Sequence, residues 1–304
     1  MREPTPRPPG RLELVQSERL QQGSERSRVS RDAVAVLEQA WSAECRLRGR
    51  QKPTSGWSVD NAGHDIFPSR RTPLPTVIFV HGACVRDAPW WWSQMTEPLA
   101  GHGIGSVAVP LPSCGETGDG LGDLYADVEA ARQAIAEAEA PVVLCGHSYG
   151  GMVITQAGAD QRVAQLLYVT SMMPEAGQSL ADLAGSQPTP WMDPGDDGTV
   201  GVHADLVREL FLQDCDEATV QQALDRLTRQ SAMPFAQPPL HIAWQEKPST
   251  YFVCTEDLAI PAELQRQRAS ASARLIDFPS GHHPFLSHPE AFAQSIAAEI
   301  HFAT

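Results

Sequence analysis

Gly146-His147-Ser148-Tyr149-Gly150 follows directly on the apolar run Pro141-Val142-Val143-Leu144-Cys145, and this juncture constrains the fold more than any other stretch of the chain. A short β-branched run closed by glycine reads as a buried strand, and Gly151-Met152-Val153-Ile154-Thr155-Gln156-Ala157 behind it reads as the start of a helix. A chain that passes from strand to helix so abruptly must turn sharply, with Ser148 at the apex in a strained conformation and its hydroxyl exposed. Glycines two places either side suit the turn, because a Cβ there would collide with the neighbouring strand and helix. The pentapeptide alone arises by chance, so its flanking strand and its partners downstream carry the weight of the reading.

From Thr76 onward short apolar runs alternate with helical segments, the pattern of a parallel sheet with crossover helices. Strands are predicted at Thr76-Val80, Gly105-Val109, Val142-Cys145, Ala164-Val169, Thr250-Cys254 and Arg274-Phe278. Helices are predicted at Trp92-Gly101, Leu121-Ala138, Gly150-Ala159, Pro261-Ala271 and Pro289-Phe302. The alternation stops over residues 171–247, where Pro and Gly turns accompany two amphipathic helices, His203-Asp214 and Glu217-Gln230. An insertion at that point is expected to form a small helical cap. Residues 1–30, rich in Pro, Arg, Gln and Ser, are expected to form a flexible tail. Residues 31–75 are expected to supply an accessory helix, with Val34, Leu37, Trp41 and Leu47 on one face and Gly49 at its end, and then a turn-rich linker.

Composition removes several classes of function. A net charge of -14 over 304 residues disfavours nucleic acid and anionic membranes, which need a clustered basic surface. No run approaches the roughly 20 apolar residues of a membrane span, and the first residues carry Pro and Arg where a secretory signal needs an apolar core. The six cysteines lack the spacing of a zinc or redox motif, so no metal is implied, and buried thiols in a reducing cytoplasm are expected.

A serine hydroxyl is a weak nucleophile; it needs a base to take its proton and a third group to hold that base in the right tautomer. Two later strands end on suitable residues. Thr250-Cys254 leads into Thr255-Glu256-Asp257, and Arg274-Phe278 leads into Ser280-Gly281-His282-His283-Pro284. Ser148, Asp257 and His282 are therefore the candidate catalytic residues, because the strand ends of a parallel sheet share one edge. Glu256 competes with Asp257, which could instead complement a helix dipole ahead of Pro261. His283 competes with His282, but it precedes Pro284 and is biased to an extended backbone that aims it at the cap or solvent. The oxyanion formed on attack needs two donors, for which the amides of Ala83, in the loop His81-Gly82-Ala83-Cys84, and of Tyr149 are the candidates. Trp90-Trp91-Trp92 offers aromatic surface either to a pocket or to the core.

With these residues in place the chain resembles the α/β-hydrolase family, and within it the compact carboxylesterases similar to plant methylesterases and hydroxynitrile lyases. The resemblance rests on the His81-Gly82 loop with Trp92, on Gly146-His147-Ser148-Tyr149-Gly150-Gly151, on Pro248-Ser249-Thr250-Tyr251 through Asp257 to Pro261, and on Gly281-His282-His283-Pro284-Phe285-Leu286. It spans residues 76–304. It implies a mostly parallel sheet with helices on both faces, no cofactor, and hydrolysis of small-molecule carboxylic esters, with lactones and thioesters in reach of the same chemistry. His283 stands where hydroxynitrile lyases carry a lysine, which argues against that activity. A lyase or acyl transferase with the same triad, and a small-molecule receptor on a hydrolase scaffold, remain the alternatives.

Overall fold

The computed structural model describes residues 75–303 apart from 119, 140, 186–188 and 270–272. The expected tail and accessory helix lie outside the described residues. Six strands, β1 (Thr76–Val80), β2 (Ser106–Val109), β3 (Val142–His147), β4 (Val163–Val169), β8 (Ser249–Cys254) and β9 (Arg274–Phe278), form a parallel sheet in the order β2-β1-β3-β4-β8-β9. The helices between them are α1 (Ala88–Gly101), α2 (Leu124–Glu137), α3 (Gly150–Ala157), α8 (Ala262–Arg268), α9 (Pro284–Ser287) and α10 (Pro289–Ala303).

The period of two along each strand divides the core into two layers. Ile78, Val80, Leu144, Tyr168 and Val253 pack with Leu124, Val128 and Ile135 of α2 and with Met152 and Val153 of α3. Their strand neighbours Val77, Phe79, Val143, Val169 and Phe252 pack on the other face with Trp91, Trp92, Met95 and Leu99 of α1 and with Phe292 and Ile296 of α10. Trp92 stacks on Phe79 at 4.2 Å and meets Phe285 at 4.0 Å, so Trp91 and Trp92, each 2 % exposed, are core residues. Trp90 is half-buried, with the Arg226 guanidinium 4.3 Å above its ring.

Local signals move the helix ends. Asp123 caps α2 by accepting from the Ala126 amide at 2.9 Å, so the helix begins at Leu124 and not at Leu121. The helix α1 begins earlier than the apolar pattern suggests, with Pro89 in its first turn.

The insertion between β4 and β8 contains α4 (Leu180–Ala184), β5 (Met192–Pro194), β6 (Thr199–Val202), α5 (Ala204–Phe211), α6 (Glu217–Leu224), β7 (Gln230–Ser231) and α7 (Met233–Ala236). The two expected helices are present but shorter. A three-stranded antiparallel sheet, β5-β6-β7, stands beside them. Its hairpin turns through Gly195-Asp196-Asp197-Gly198, with Gly198 at φ 76, while Arg229 ties the strands by bonding Asp193 and the Thr199 hydroxyl.

Register decides where the chemistry can assemble. Val80 pairs with Gly146, His147 with Val169, Val169 with Phe252 and Cys254 with Phe278, so the strand ends line up along one edge. The order also reverses between β1 and β3, which opens a crevice at that edge.

Close packing of β3 and α3 against β1 yields a stability prediction. A Cβ at Gly150 would lie 2.4 Å from the Val80 carbonyl oxygen, whereas one at Gly101 would meet nothing within 4 Å. Gly150→Ala is expected to cost about 3 kcal/mol, a fall in Tm of about 6–12 °C, and Gly101→Ala to leave Tm unchanged or raised. Thermal unfolding of the two variants checks the contrast, and equal effects would refute it.

Candidate active site

Ser148 is the residue after β3 and holds φ 51 with its side chain half-buried. A left-handed backbone costs a non-glycine residue about 1–3 kcal/mol. The surroundings offset it. The Ser148 amide donates to the Val169 carbonyl at 3.2 Å, and its own carbonyl accepts from Gly151 N at 3.2 Å, Met172 N at 3.1 Å and the Ser171 hydroxyl at 2.7 Å. At about 0.5–1.5 kcal/mol each, these bonds are enough to hold the turn. Gly146 and Gly151 are required there: a Cβ on Gly146 would lie 2.7 Å from Gly150 O, and one on Gly151 2.0 Å from Met172 O.

Asp257 and His282 come together at the same edge. The Nδ1 of His282 donates to Asp257 Oδ2 at 2.7 Å, and both residues are buried. The Thr170 hydroxyl donates to the same oxygen at 2.6 Å, and the amides of Ala259 and Ile260 donate to Oδ1 at 2.9 Å each. Burial works to raise the Asp257 pKa, but the charge and hydrogen bond of His282, with the Ile260 amide and the Thr170 hydroxyl, outweigh it and hold the carboxyl below its ordinary value. Glu256 is exposed and is engaged through its backbone only, its carbonyl accepting from Gln213 Nε2. The His282 carbonyl accepts from His147 Nε2 at 2.9 Å, with the two rings 4.6 Å apart, so the histidine loop is fastened to the Ser148 turn. The Ser148 hydroxyl itself takes no part in these hydrogen bonds.

The loop after β1 passes close to the same turn. A Cβ on Gly82 would lie 3.2 Å from Ser148 Cβ, and the next residue, Ala83, is half-buried. Glu116 anchors this loop by accepting from His81 Nε2 at 2.8 Å, Ala88 N at 2.8 Å and Leu111 N at 2.9 Å. Burial opposes its ionisation, yet the His81 hydrogen bond and charge and the two amides lower its pKa. Tyr149 opens α3, with its amide at the helix N-terminus. Its hydroxyl donates to the buried Asp127 at 2.6 Å.

The cap covers the cluster. Phe211 at the end of α5 sits edge-on to His282 with ring centroids 4.8 Å apart, and Trp191 meets Phe211 at 5.3 Å. Three hydrogen bonds fasten this turn of the cap: His283 Nδ1 to Phe211 O at 2.9 Å, Gln213 Nε2 to Glu256 O at 2.9 Å, and Gly281 N to Asp214 Oδ2 at 2.7 Å. His283 thus turns to the cap and not to Asp257. Thr170, Glu116, Asp127, Asp214 and the anchoring role of His147 carried no motif in the sequence, because their partners adjoin them only after the sheet forms. Among the described residues no group of three or more His, Cys, Asp or Glu side chains could hold a metal ion.

A model of the Alpha/beta hydrolase family matches residues 77–295. The chain belongs to that family. It is 30% identical over 240 residues to the alpha/beta hydrolase nvfD of Aspergillus novofumigatus, covering 73% of this chain and 95% of that protein. It is 29% identical over 244 residues to a pyrethroid hydrolase of Sphingobium wenxiniae, covering 73% of this chain and 86% of that one. The crystal structure of a pyrethroid hydrolase from Sphingobium faniae superposes with a TM-score of 0.66 at 24% identity, over 75% of this chain and 97% of that chain, and shares the fold. The six-stranded parallel sheet flanked by helices is the α/β-hydrolase fold expected from the sequence. Among the described residues no helix is long and apolar enough to cross a membrane.

Burial makes the imidazole next to His282 a source of acid sensitivity. Desolvation, reinforced by the charge of His282, pushes the His283 pKa down to about 3. Unfolded, the same group titrates near 6.5. Between these values the unfolded chain binds a proton that the folded chain refuses, so stability falls as pH falls through the window, by up to about 1.4 kcal/mol per pH unit. His283→Gln, whose amide can still donate to Phe211 O, is expected to flatten the slope by one proton whatever its effect on absolute stability. Urea unfolding at steps between pH 4 and pH 6.5 reads the slope, and an unchanged slope would contradict the assignment.

Proposed function

We propose that this α/β-hydrolase cleaves small-molecule carboxylic esters through an acyl-enzyme on Ser148, with His282 as the base, Asp257 as its orienting partner, and the amides of Ala83 and Tyr149 as the oxyanion hole. The observation that carries the reading is the buried Asp257–His282 hydrogen bond of 2.7 Å at the strand edge where Ser148 occupies a left-handed turn. The Thr170 hydroxyl and the Ala259 and Ile260 amides hold Asp257 as an acceptor facing His282 Nδ1, which is then the donor, and Nε2 is left to accept the serine proton. The Ser148 oxygen adds to the acyl carbon as its proton passes to Nε2, and the carbonyl oxygen, now negative, is held by the two amides. Collapse breaks the bond to the alcohol, which takes the proton from His282. Water then repeats the sequence on the acyl-enzyme, giving its proton to His282 and releasing the acid and the Ser148 hydroxyl.

The relative from Sphingobium wenxiniae supports a hydrolytic reading, since it is named a pyrethroid hydrolase. The catalytic unit is residues 76–304, with residues 171–247 as its cap. A cytoplasmic setting agrees with five free cysteines among the described residues, four of them buried.

Ser148→Ala is expected to lower turnover of p-nitrophenyl esters by about 10⁴-fold or more while leaving Tm near that of the parent protein, since the hydroxyl contributes chemistry and little packing. His282→Ala should do the same, whereas His283→Ala should keep a working enzyme with at most an altered KM. A fluorophosphonate should label Ser148 in the parent protein. Retained turnover in Ser148→Ala, or a larger loss in His283→Ala than in His282→Ala, would overturn the assignment.

A further inference from the structure

The two proposed oxyanion amides belong to different segments, Ala83 to the loop after β1 and Tyr149 to the N-cap of α3. They act together only at a fixed spacing, since a donor misplaced by about 1 Å forfeits about 100-fold in rate. The loop does not fix that spacing by itself. Cys84, directly after Ala83, stands at φ 59, a conformation that a side-chain-bearing residue holds only under outside restraint.

The restraint is a chain of buried polar groups. Gln230 of β7 accepts the Cys84 amide on its side-chain oxygen at 2.9 Å and donates from its nitrogen to the Ser113 hydroxyl at 2.8 Å. Ser113 donates its hydroxyl to Asp127 Oδ2 at 2.5 Å and its amide to Oδ1 at 2.8 Å. Tyr149 donates its hydroxyl to Oδ2 at 2.6 Å. The chain therefore starts one residue beyond Ala83 and ends on Tyr149 itself, and Cys84, Ser113, Asp127 and Gln230 are all 0 % exposed. The cap backbone adds to it: Thr228 N donates to Cys84 O at 2.9 Å, Arg86 N to Arg226 O at 2.9 Å, and Cys84 Sγ to Val200 O at 3.4 Å.

A carboxyl in such a place is expensive. Burial raises the Asp127 pKa against the hydrogen bonds from Ser113 and Tyr149, and an apolar side chain of similar size would pack the same site at lower cost. Its orienting effect is what an apolar residue could not supply: both hydroxyls point at the carboxylate, the Ser113 lone pair is thereby offered to the Gln230 amide nitrogen, and the Gln230 oxygen is turned to Cys84.

We propose that Asp127, Ser113 and Gln230 are positioning residues that set the spacing of the Ala83 and Tyr149 amides, so that the last strand of the cap holds one side of the oxyanion hole. The proposal rests on the ester-hydrolase reading.

The test uses the full chain carrying Gln230→Met, which keeps bulk and removes both polar atoms, and Tyr149→Phe, which removes one oxygen and leaves the backbone amide. Each is assayed on a p-nitrophenyl ester below its own Tm, and for inhibition by a trifluoromethyl ketone, which adds to a serine and sets its alkoxide on the oxyanion amides. Positioning predicts a fall in kcat of about ten- to a hundred-fold, KM within about two-fold, and a ketone inhibition constant raised in proportion to the loss of kcat. A structural role alone would lower Tm and leave kcat and ketone affinity unchanged; parental values of both in either folded variant overturn the proposal. If Gln230→Met yields no folded protein, Tyr149→Phe decides. A parent protein that hydrolyses esters and is labelled at Ser148, with variants matching it, sinks the positioning role alone. An inert, unlabelled parent sinks the ester-hydrolase reading and this proposal with it.

Discussion

The left-handed turn at Ser148 is the constraint on which the rest of the site depends. Its carbonyl gathers donors from Gly151, Ser171 and Met172, so the end of β4 and the entry to the cap are committed to that one atom. Its closeness to β1 is committed too, since α3 can lie against Val80 and His81 only because residue 150 is glycine. Strain at one residue is thus held by three segments, none of which could be shifted without releasing it. The same crowding brings the loop after β1 and the loop after β9 to the serine: Gly82 meets its Cβ and His147 holds the His282 carbonyl.

The sheet and the candidate residues at its edge were legible in the sequence for a physical reason. Buried parallel strands read as short apolar runs, and a residue that directly follows such a run must lie at the edge whatever the order of the strands. Ser148, Asp257 and His282 each satisfy that local rule, so their placement at the edge needed no knowledge of the intervening chain. Asp127 and Gln230 satisfy no such rule. Asp127 lies in the first turn of its helix, where an acid passes for a complement to the helix dipole, and Gln230 reaches Ser113 across 117 positions and Cys84 across 146. The strands of the cap sheet were equally silent. With two to four residues each, they are too short to show a period, and Arg229 rather than an apolar stripe ties them. The choice between Asp257 and Glu256, adjacent in sequence, was open for the opposite reason: position along the chain was right for both. The side-chain direction differs, Asp257 turning inward under the amides of Ala259 and Ile260 while Glu256 faces solvent.

The two fully enclosed aspartates of the site show how environment, and not burial, sorts such groups. Asp257 and Asp127 are 4 % and 0 % exposed, so desolvation acts to raise the pKa of both. The net shifts nevertheless run in opposite directions. Asp257 faces the His282 imidazole, whose charge and hydrogen bond act with the backbone amides on its other oxygen to drive the carboxyl down. Asp127 has chiefly neutral donors, a serine and a tyrosine, with His81 contributing least among its causes, and desolvation prevails. A carboxyl that must answer a charge appearing during the reaction needs the first environment. One that only orients hydroxyls works in the second, since accepting hydrogen bonds from fixed neutral donors requires no change of charge from one step to the next.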